Sequence, residues 1–334
     1  MDERRTRRRF LGEGVSCAAH LALAGAMAPA ISRALWAQPR DARRVVAEEP
    51  FGRLEQVADG IWALVSTPLT GDRTTLSNGG IIAGTSGVMA VEGFMTAEGA
   101  RWLATKARDL TGRWPTHAVV THYHADHIGG VAGYREPGTT TRLLVTDETR
   151  GAVLGTKVER PTPADESRRE ALATAMAPDD WPGGIDLGGR RVRLVRRKGH
   201  TASDVTIEVN DPAVTFTGDL VWNGMFPNYV DATPSALAAS TRALRRSGAV
   251  AYVPGHGRVA GEGDLDRYLD VLAEVERAAR AAHGKGTPAA QAAAAFTLPV
   301  SLGEWYLFNA VFFERAFSAW FRELGGGADG AGAR

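Results

Sequence analysis

The stretch Thr121-His-Tyr-His-Ala-Asp-His-Ile-Gly-Gly130 (THYHADHIGG) decides the reading of this chain. The protein has eight histidines in 334 residues, and three of them fall within six positions here, beside an aspartate. At that abundance an H-x-H-x-D-H pattern arises by accident in roughly one chain in several thousand, so chance accounts for it poorly. Imidazole nitrogens and carboxylate oxygens are good ligands for zinc, iron or manganese. His122, His124, Asp126 and His127 are therefore read as metal ligands.

The cluster grows out of a short apolar run, His117–Thr121 (HAVVT), which reads as a buried strand. The same placement recurs downstream. His200 follows the strand-like Arg190–Arg196 in Lys-Gly-His-Thr. Asp219 follows Ala213–Thr217 in Thr-Gly-Asp-Leu, and His256 follows Ala249–Val253 in Pro-Gly-His-Gly. Glycine lets such turns bend tightly, and side chains at strand-end turns can converge on one side of a sheet. One tetrahedral catalytic ion needs only three protein ligands. The seven candidates exceed that need and suit two ions, which in such sites lie about 3.5–4 Å apart and can share a carboxylate. His20, His117 and His283 read as ordinary solvated or hydrogen-bonded rings.

H-x-H-x-D-H, then Gly-His-Thr, Thr-Gly-Asp and Pro-Gly-His-Gly in that order, resembles the metallo-β-lactamase-fold hydrolase superfamily over residues 52–260. The resemblance implies an α/β architecture, an αββα sandwich of two mixed β-sheets flanked by helices, with metals at one edge. It implies a first metal on His122, His124 and His200, a second on Asp126, His127 and His256, and Asp219 as the bridge. The implied cofactors are two Zn2+, with iron or manganese as alternatives. The implied chemistry is attack by a metal-bridging hydroxide on an ester-like or amide carbonyl of a small-molecule substrate: a thioester, lactone, ester or β-lactam. Asp126 and Asp219 are the catalytic candidates, with Asp126 orienting the nucleophile.

An aspartate at 219 resembles glyoxalase II, lactonases and broad-specificity members, whereas the best-known class B β-lactamases carry cysteine there. Weak or promiscuous β-lactamase activity stays open. So does an iron-dependent oxidoreductase of the same fold, similar to a persulfide dioxygenase. Asp204, four residues after His200, is either an acceptor for a ligand N–H or a turn residue opening the next strand. Trp222, Met225, Phe226 and Tyr229 follow the bridging aspartate and either wall the pocket or pack on a neighbouring helix. The polar segment Thr67–Ser77 resembles in position the substrate-covering flap of β-lactamases. The aromatic residues of Leu302–Leu324 form the stripe of an amphipathic helix, capped by Ser301 and Glu304. That stripe is either core or the face of a homodimer.

Composition bounds the remaining possibilities. At 44% hydrophobic and 23% charged residues the chain is an ordinary globular protein able to bury a large core. The net charge is +1, and without residues 1–37 it becomes −2, which gives no electrostatic reason to expect nucleic acid. Residues 1–37 read as a twin-arginine signal: Thr6-Arg-Arg-Arg-Phe-Leu11, then a weakly apolar run with small residues near Ala30 and Ala37. The expected location is periplasmic or secreted, with no membrane attachment after cleavage. The only cysteine, Cys17, lies inside this signal, so the mature chain has no disulfide and no thiolate ligand. The domain expected over 38–324 is followed by a disordered tail at 325–334. Within it, strands are expected across Leu54–Val65, Gly79–Gly93, Arg142–Thr146 and Val205–Val209. Helices are expected at Thr96–Leu110, Asp147–Val158, Asp165–Met176, Pro234–Arg245 and Asp264–His283.

Overall fold

Long apolar runs set the centre of the molecule. The computed structural model describes residues 43–67, 71–177 and 183–325. Residues 1–37, read above as a signal, residues 68–70 of the segment read as a flap, and residues 326–334 lie outside the described residues. Strand β3 (Ile61–Ser66) and strand β5 (Val88–Val91) are buried along their whole length. Strand β11 (Ala213–Asn223) is buried from its second residue onward. Strands with both faces covered carry near-continuous apolar runs, as β3 and β5 do, whereas β11 also buries Thr215, Thr217 and Asp219.

The first sheet runs β1 (Val45–Glu49), β2 (Gly52–Ala58), β3, β4 (Gly79–Ala83), β5, β6 (His117–Val119) and β7 (Arg142–Leu144) in spatial as well as chain order. Its first five strands pair antiparallel, and β6 and β7 add in parallel. The second sheet has the order β12 (Ala251–Gly257), β11, β10 (Asp204–Asn210), β9 (Arg191–Arg197), β8 (Ile185–Asp186). Here only β11 and β12 are parallel. Both sheets are mixed.

Three layers of apolar contact define the stacking. Ile61, Val65, Ile82 and Val91 of the first sheet meet Ile207, Val209, Val214 and Phe216 of the second in one cluster between the sheets. On the outer side of the first sheet, Leu54, Ile81 and Ala90 pack on Leu103, Ala104 and Ala107 of helix α1 (Ala97–Thr111). On the outer side of the second, Leu220 meets Leu237, Leu265, Tyr268 and Trp320. Those come from helices α5 (Pro234–Arg246), α6 (Glu262–Gly284) and α8 (Val311–Gly325). The result is the expected αββα sandwich. Truncating any one of the fully buried leucines to alanine costs about 2–5 kcal/mol through lost transfer energy and the cavity left behind.

Helix α1 shows why the local sequence stops where it does. Thr96 caps its first turn by accepting the Gly99 N–H, and Gly112 closes it in the left-handed conformation at φ 72°. The shorter helices α2 (Ala125–Ile128), α3 (Asp147–Gly155), α4 (Pro163–Ala173) and α7 (Ala289–Ala294) complete the chain. Helix α4 begins before the expected Asp165, because Thr162 and Asp165 form a capping box around Pro163. Helix α7 is built almost wholly of alanine, the residue with the strongest helix propensity.

The C-terminal expectation fails in an informative way. No single helix spans Leu302–Leu324, and the Ser301/Glu304 cap does not form. Gly303 takes φ 78°, which breaks the helical course. Tyr306 then pairs in strand fashion with Met225, accepting from Phe226 N and donating its own N–H to Gly224 O. The helix restarts only at Val311, whose N–H is accepted by Asn309 Oδ1. Tertiary hydrogen bonds to the loop after β11 outweigh the helical propensity of the segment. Phe312, Phe317 and Trp320 of α8 are buried within the chain. Among the described residues no helix is long and apolar enough to cross a membrane.

Candidate metal centre

Two strands come closer to this site than expected. β11 continues past Thr217 to Asn223, and β12 continues past Val253 to Gly257. Asp219 and His256 therefore stand inside paired strands rather than in turns beyond them. The pairing is irregular around Gly218, which faces Pro254, and becomes regular again where Trp222 faces His256. Glycine at 255 is what lets the strands close here: a Cβ would stand 1.9 Å from Asp219 Oδ1. Gly218, at φ 53°, gives Thr121 the same clearance.

The cluster in 121–127 leaves β6 and turns into α2. His122, His127 and His200 are fully buried, and Asp219 and His256 nearly so. The seven sequence candidates fall into two groups: His122, His124, His200 and Asp219, and then Asp126, His127 and His256. Within each group one donor atom per residue lies within 4.8 Å of the others. In the first group, His124 Nδ1 lies 3.1 Å from His122 Nε2 and 2.9 Å from His200 Nε2. In the second, Asp126 Oδ2 lies 3.3 Å from His256 Nε2 and 3.6 Å from His127 Nε2. Asp219 reaches both groups: its Oδ2 is 3.2 Å from His200 Nε2, and its Oδ1 is 3.1 Å from His127 Nε2 and 3.4 Å from His256 Nε2.

The outer nitrogens identify what the inner ones present. His124 Nε2 meets the Asp231 carboxylate at 2.9 Å, which makes it the donor and leaves Nδ1 as a lone pair. Thr121 Oγ1 donates to Glu92 Oε1, so it accepts from His122 Nδ1 at 3.0 Å, and His122 Nε2 is also a lone pair. Two lone pairs 3.1 Å apart repel. A cation between them turns that repulsion into coordination. The donor chemistry thus fits a divalent ion of the zinc, iron or manganese kind.

Electrostatics divide the imidazoles the same way. Burial pushes His122 well below its usual pKa and His200 down to about 3, so both are neutral and ready to coordinate. Burial acts on His127 and His256 too, but there the carboxylates win. Asp219, Glu92 and Asp126 hold His127 well above the usual value, and Asp219 and Asp126 lift His256 to about 9. In Asp126 burial is outweighed by His127 and His256, which hold it down at about 2. Protons on His127 and His256 balance charge that bound cations would balance instead.

Two contributors escaped the sequence reading. Glu92 directly follows β5 at φ 76° and is buried. Its Oε1 accepts Thr121 Oγ1 and lies 3.1 Å from His127 Nδ1, while Oε2 accepts Thr121 N at 3.2 Å. The His127 contact is an ion pair without the alignment of a hydrogen bond. A charge closing the apolar run VMAVEG was the available signal. Asp231 accepts from both Tyr123 and His124. Nothing local in the sequence marks it. Asp204 takes the turn role: it accepts His200 N, Thr201 N and Thr201 Oγ1 and fixes the backbone at His200. Burial lifts its carboxyl to about 7 despite those bonds.

A cavity of about 280 Å³ opens onto His124, Asp126, Asp219 and His256. Trp222 lies over the His256 ring with centroids 4.0 Å apart, and with Met225 it lines the cavity as expected. Phe226 and Tyr229 instead point into the core of the outer helices. The loop after Gly224 divides its side chains: Met225, Asn228 and Val230 face the cavity, and Phe226 and Tyr229 face the helices. Phe308 and Phe312 of the C-terminal aromatics line the cavity as well. Leu76, from the segment Thr67–Ser77, does the same.

Four layers, a strand-edge site and a His/Asp donor set that could hold metal meet in one architecture. The sequence model of the Metallo-beta-lactamase superfamily matches residues 73–256, and the chain belongs to that superfamily. The hydroxyacylglutathione hydrolase of Acidiphilium cryptum (strain JF-5) is 29% identical over 217 residues, covering 65% of this chain and 78% of that protein. An acyl-coenzyme A thioesterase of Bos taurus is 29% identical over 128 residues, 35% of this chain and 46% of that one. The sec-alkylsulfatase Pisa1 of Pseudomonas sp. superimposes with a TM-score of 0.61 at 19% identity, over 84% of this chain. The chain spans about half the length of that sulfatase, 51%, and the likeness carries the fold alone.

Proposed function

We propose that this chain is a dinuclear metal-dependent hydrolase that opens an ester-like or amide carbonyl bond: a thioester, lactone, ester or β-lactam. The observation that carries the proposal is the position of Asp219, whose carboxylate reaches histidines of both donor groups. His122, His124 and His200 would hold one ion, Asp126, His127 and His256 the other, and Asp219 would touch both, with zinc the favoured metal. Bound divalent cations supply Lewis acidity, which makes a held water acidic near neutral pH and polarises a carbonyl oxygen. The chain's own residues do the rest. Asp126 lines the cavity and can accept a hydrogen bond from the attacking water, fixing its direction. Trp222 and Phe312, both buried, keep bulk water from the inner wall. Asp231 and Glu92 hold His124 and His127 in the ring orientations described above.

The relatives that act on thioesters support the hydrolytic reading, and the twin-arginine pattern at the N-terminus supports export of the folded protein. The deciding experiment is metal analysis of purified protein beside a panel of esters, lactones, thioesters and β-lactams, repeated with Asp219→Ala. The proposal expects two equivalents of metal per chain and hydrolysis, both collapsing in the variant. Full activity in Asp219→Ala, or a single iron per chain with no hydrolysis, overturns it.

A further inference from the structure

The wall of the cavity carries more information than its floor. Its acidic residues, Asp126 and Asp219, belong to the donor set, and no lysine or arginine lines it among the described residues. The remaining surface is largely apolar: Leu76, Trp222, Met225, Val230, Phe308 and Phe312. Phe308 and Val230 stay 43% and 38% exposed, too open for core residues of their size, and they sit at this cavity rather than scattered over the surface. Leu76 is held at φ 60°, in the left-handed region that a branched side chain avoids at a cost of roughly 1–2 kcal/mol. Glycine would sit there without strain. The chain instead places an isobutyl group against the cavity.

One polar group stands in this wall. Asn228 Oδ1 accepts both the Val230 N–H at 3.2 Å and the Arg315 guanidinium at 3.0 Å. Two donors on one end of the amide identify that end as the oxygen. Asn228 therefore offers its Nδ2–H as a donor. Arg315, which also lies 5.7 Å from the Phe312 ring, is a positioning residue that fixes the direction of this donor.

Resting on the hydrolase reading above, we propose that the site takes a neutral carboxylic ester, open-chain or cyclic, with an apolar acyl part. The acyl part seats on Leu76, Trp222, Phe308 and Phe312, and an acceptor oxygen of the substrate takes the Asn228 Nδ2–H. A hydroxyacylglutathione is a poor fit. Its glutathione part carries two carboxylates and an ammonium, and the wall offers them one amide. The volume of about 280 Å³ lies just under the usual range for drug-sized ligands, which limits the acyl part to a compact chain or ring.

The test separates binding from turnover. Isothermal titration of the zinc-loaded full chain with the product carboxylates acetate, butyrate and hexanoate should show Kd falling about fourfold per added methylene. In parallel, kcat/KM on phenyl acetate, butyrate and hexanoate should rise with chain length and exceed that on a hydroxyacylglutathione at least tenfold. Leu76→Gly should flatten the Kd series without lowering the melting temperature, because the substitution also relieves strain. Asn228→Ala should raise KM for phenyl hexanoate about tenfold, and Arg315→Lys should recover part of the effect seen in Arg315→Ala. A flat Kd series, or preference for the glutathione thioester, overturns the inference while leaving hydrolysis intact. A steep Kd series with no turnover of any ester overturns the hydrolase reading and leaves the apolar pocket standing.

Discussion

Replacing Glu92 with glutamine changes one atom in a buried network and should propagate to the metal centre. The carboxylate currently meets three donors: Thr121 Oγ1 and His127 Nδ1 at Oε1, and Thr121 N at Oε2. An amide has one oxygen. With that oxygen toward Thr121 Oγ1 and His127, the new NH2 faces the Thr121 backbone N–H. With the amide reversed, it faces both of the others. Either way a buried donor loses its acceptor, at about 1–3 kcal/mol. Losing the charge opposite His127 adds on the order of 1.5–3 kcal/mol. The expected destabilisation of the metal-free protein is thus about 2.5–6 kcal/mol, which brackets the range for breaking a buried pair. The ring of His127 is then no longer held, and affinity at the site formed by Asp126, His127 and His256 should fall roughly 10–100-fold. Urea denaturation of the metal-free protein and chelator competition for zinc read these two effects separately. A variant within 0.5 kcal/mol of wild type (about the limit for neutral surface changes) and with unchanged zinc affinity would refute the reasoning.

Other consequences can be checked in the same way. Asp231→Asn should weaken zinc at the site of His124 by roughly 10–100-fold, with little loss of fold stability because Asp231 is exposed at 41% of its side chain; equal affinities would remove Asp231 from the account. Zinc binding at pH 7 should release protons, since His127 and His256 carry them in the metal-free protein, the latter up to about pH 9. The sign follows: these pKa values are raised, so protons compete with metal below about 9 and affinity climbs as pH rises toward it, and a pH-independent zinc affinity between 6 and 9 contradicts it. Exchanging Arg7 and Arg8 for lysine should retain the protein in the cytoplasm, and unchanged periplasmic delivery would reject the export proposal.

The sequence carried the donor set because spacing and residue type are local facts. His122, His124, Asp126 and His127 share one turn, and His200, Asp219 and His256 each sit beside a glycine that their crowded placement demands. The layers were legible for the same reason: β3 and β5 have apolar residues at consecutive positions. What could not be read was anything held by partners distant along the chain. Asp231 matters only through a contact 107 residues away. The extended course of Tyr306 depends on the loop at Gly224–Phe226, so helical spacing across 302–324 misled. The strand character of Asp219 and His256 likewise comes from pairing between β11 and β12.

The most direct measurement is anomalous X-ray scattering at the zinc edge from crystals of the zinc-loaded protein. Two peaks are expected beside Asp219, one within reach of His122, His124 and His200, the other within reach of Asp126, His127 and His256. A single peak on either set, or none with the imidazoles turned apart, would contradict the dinuclear proposal.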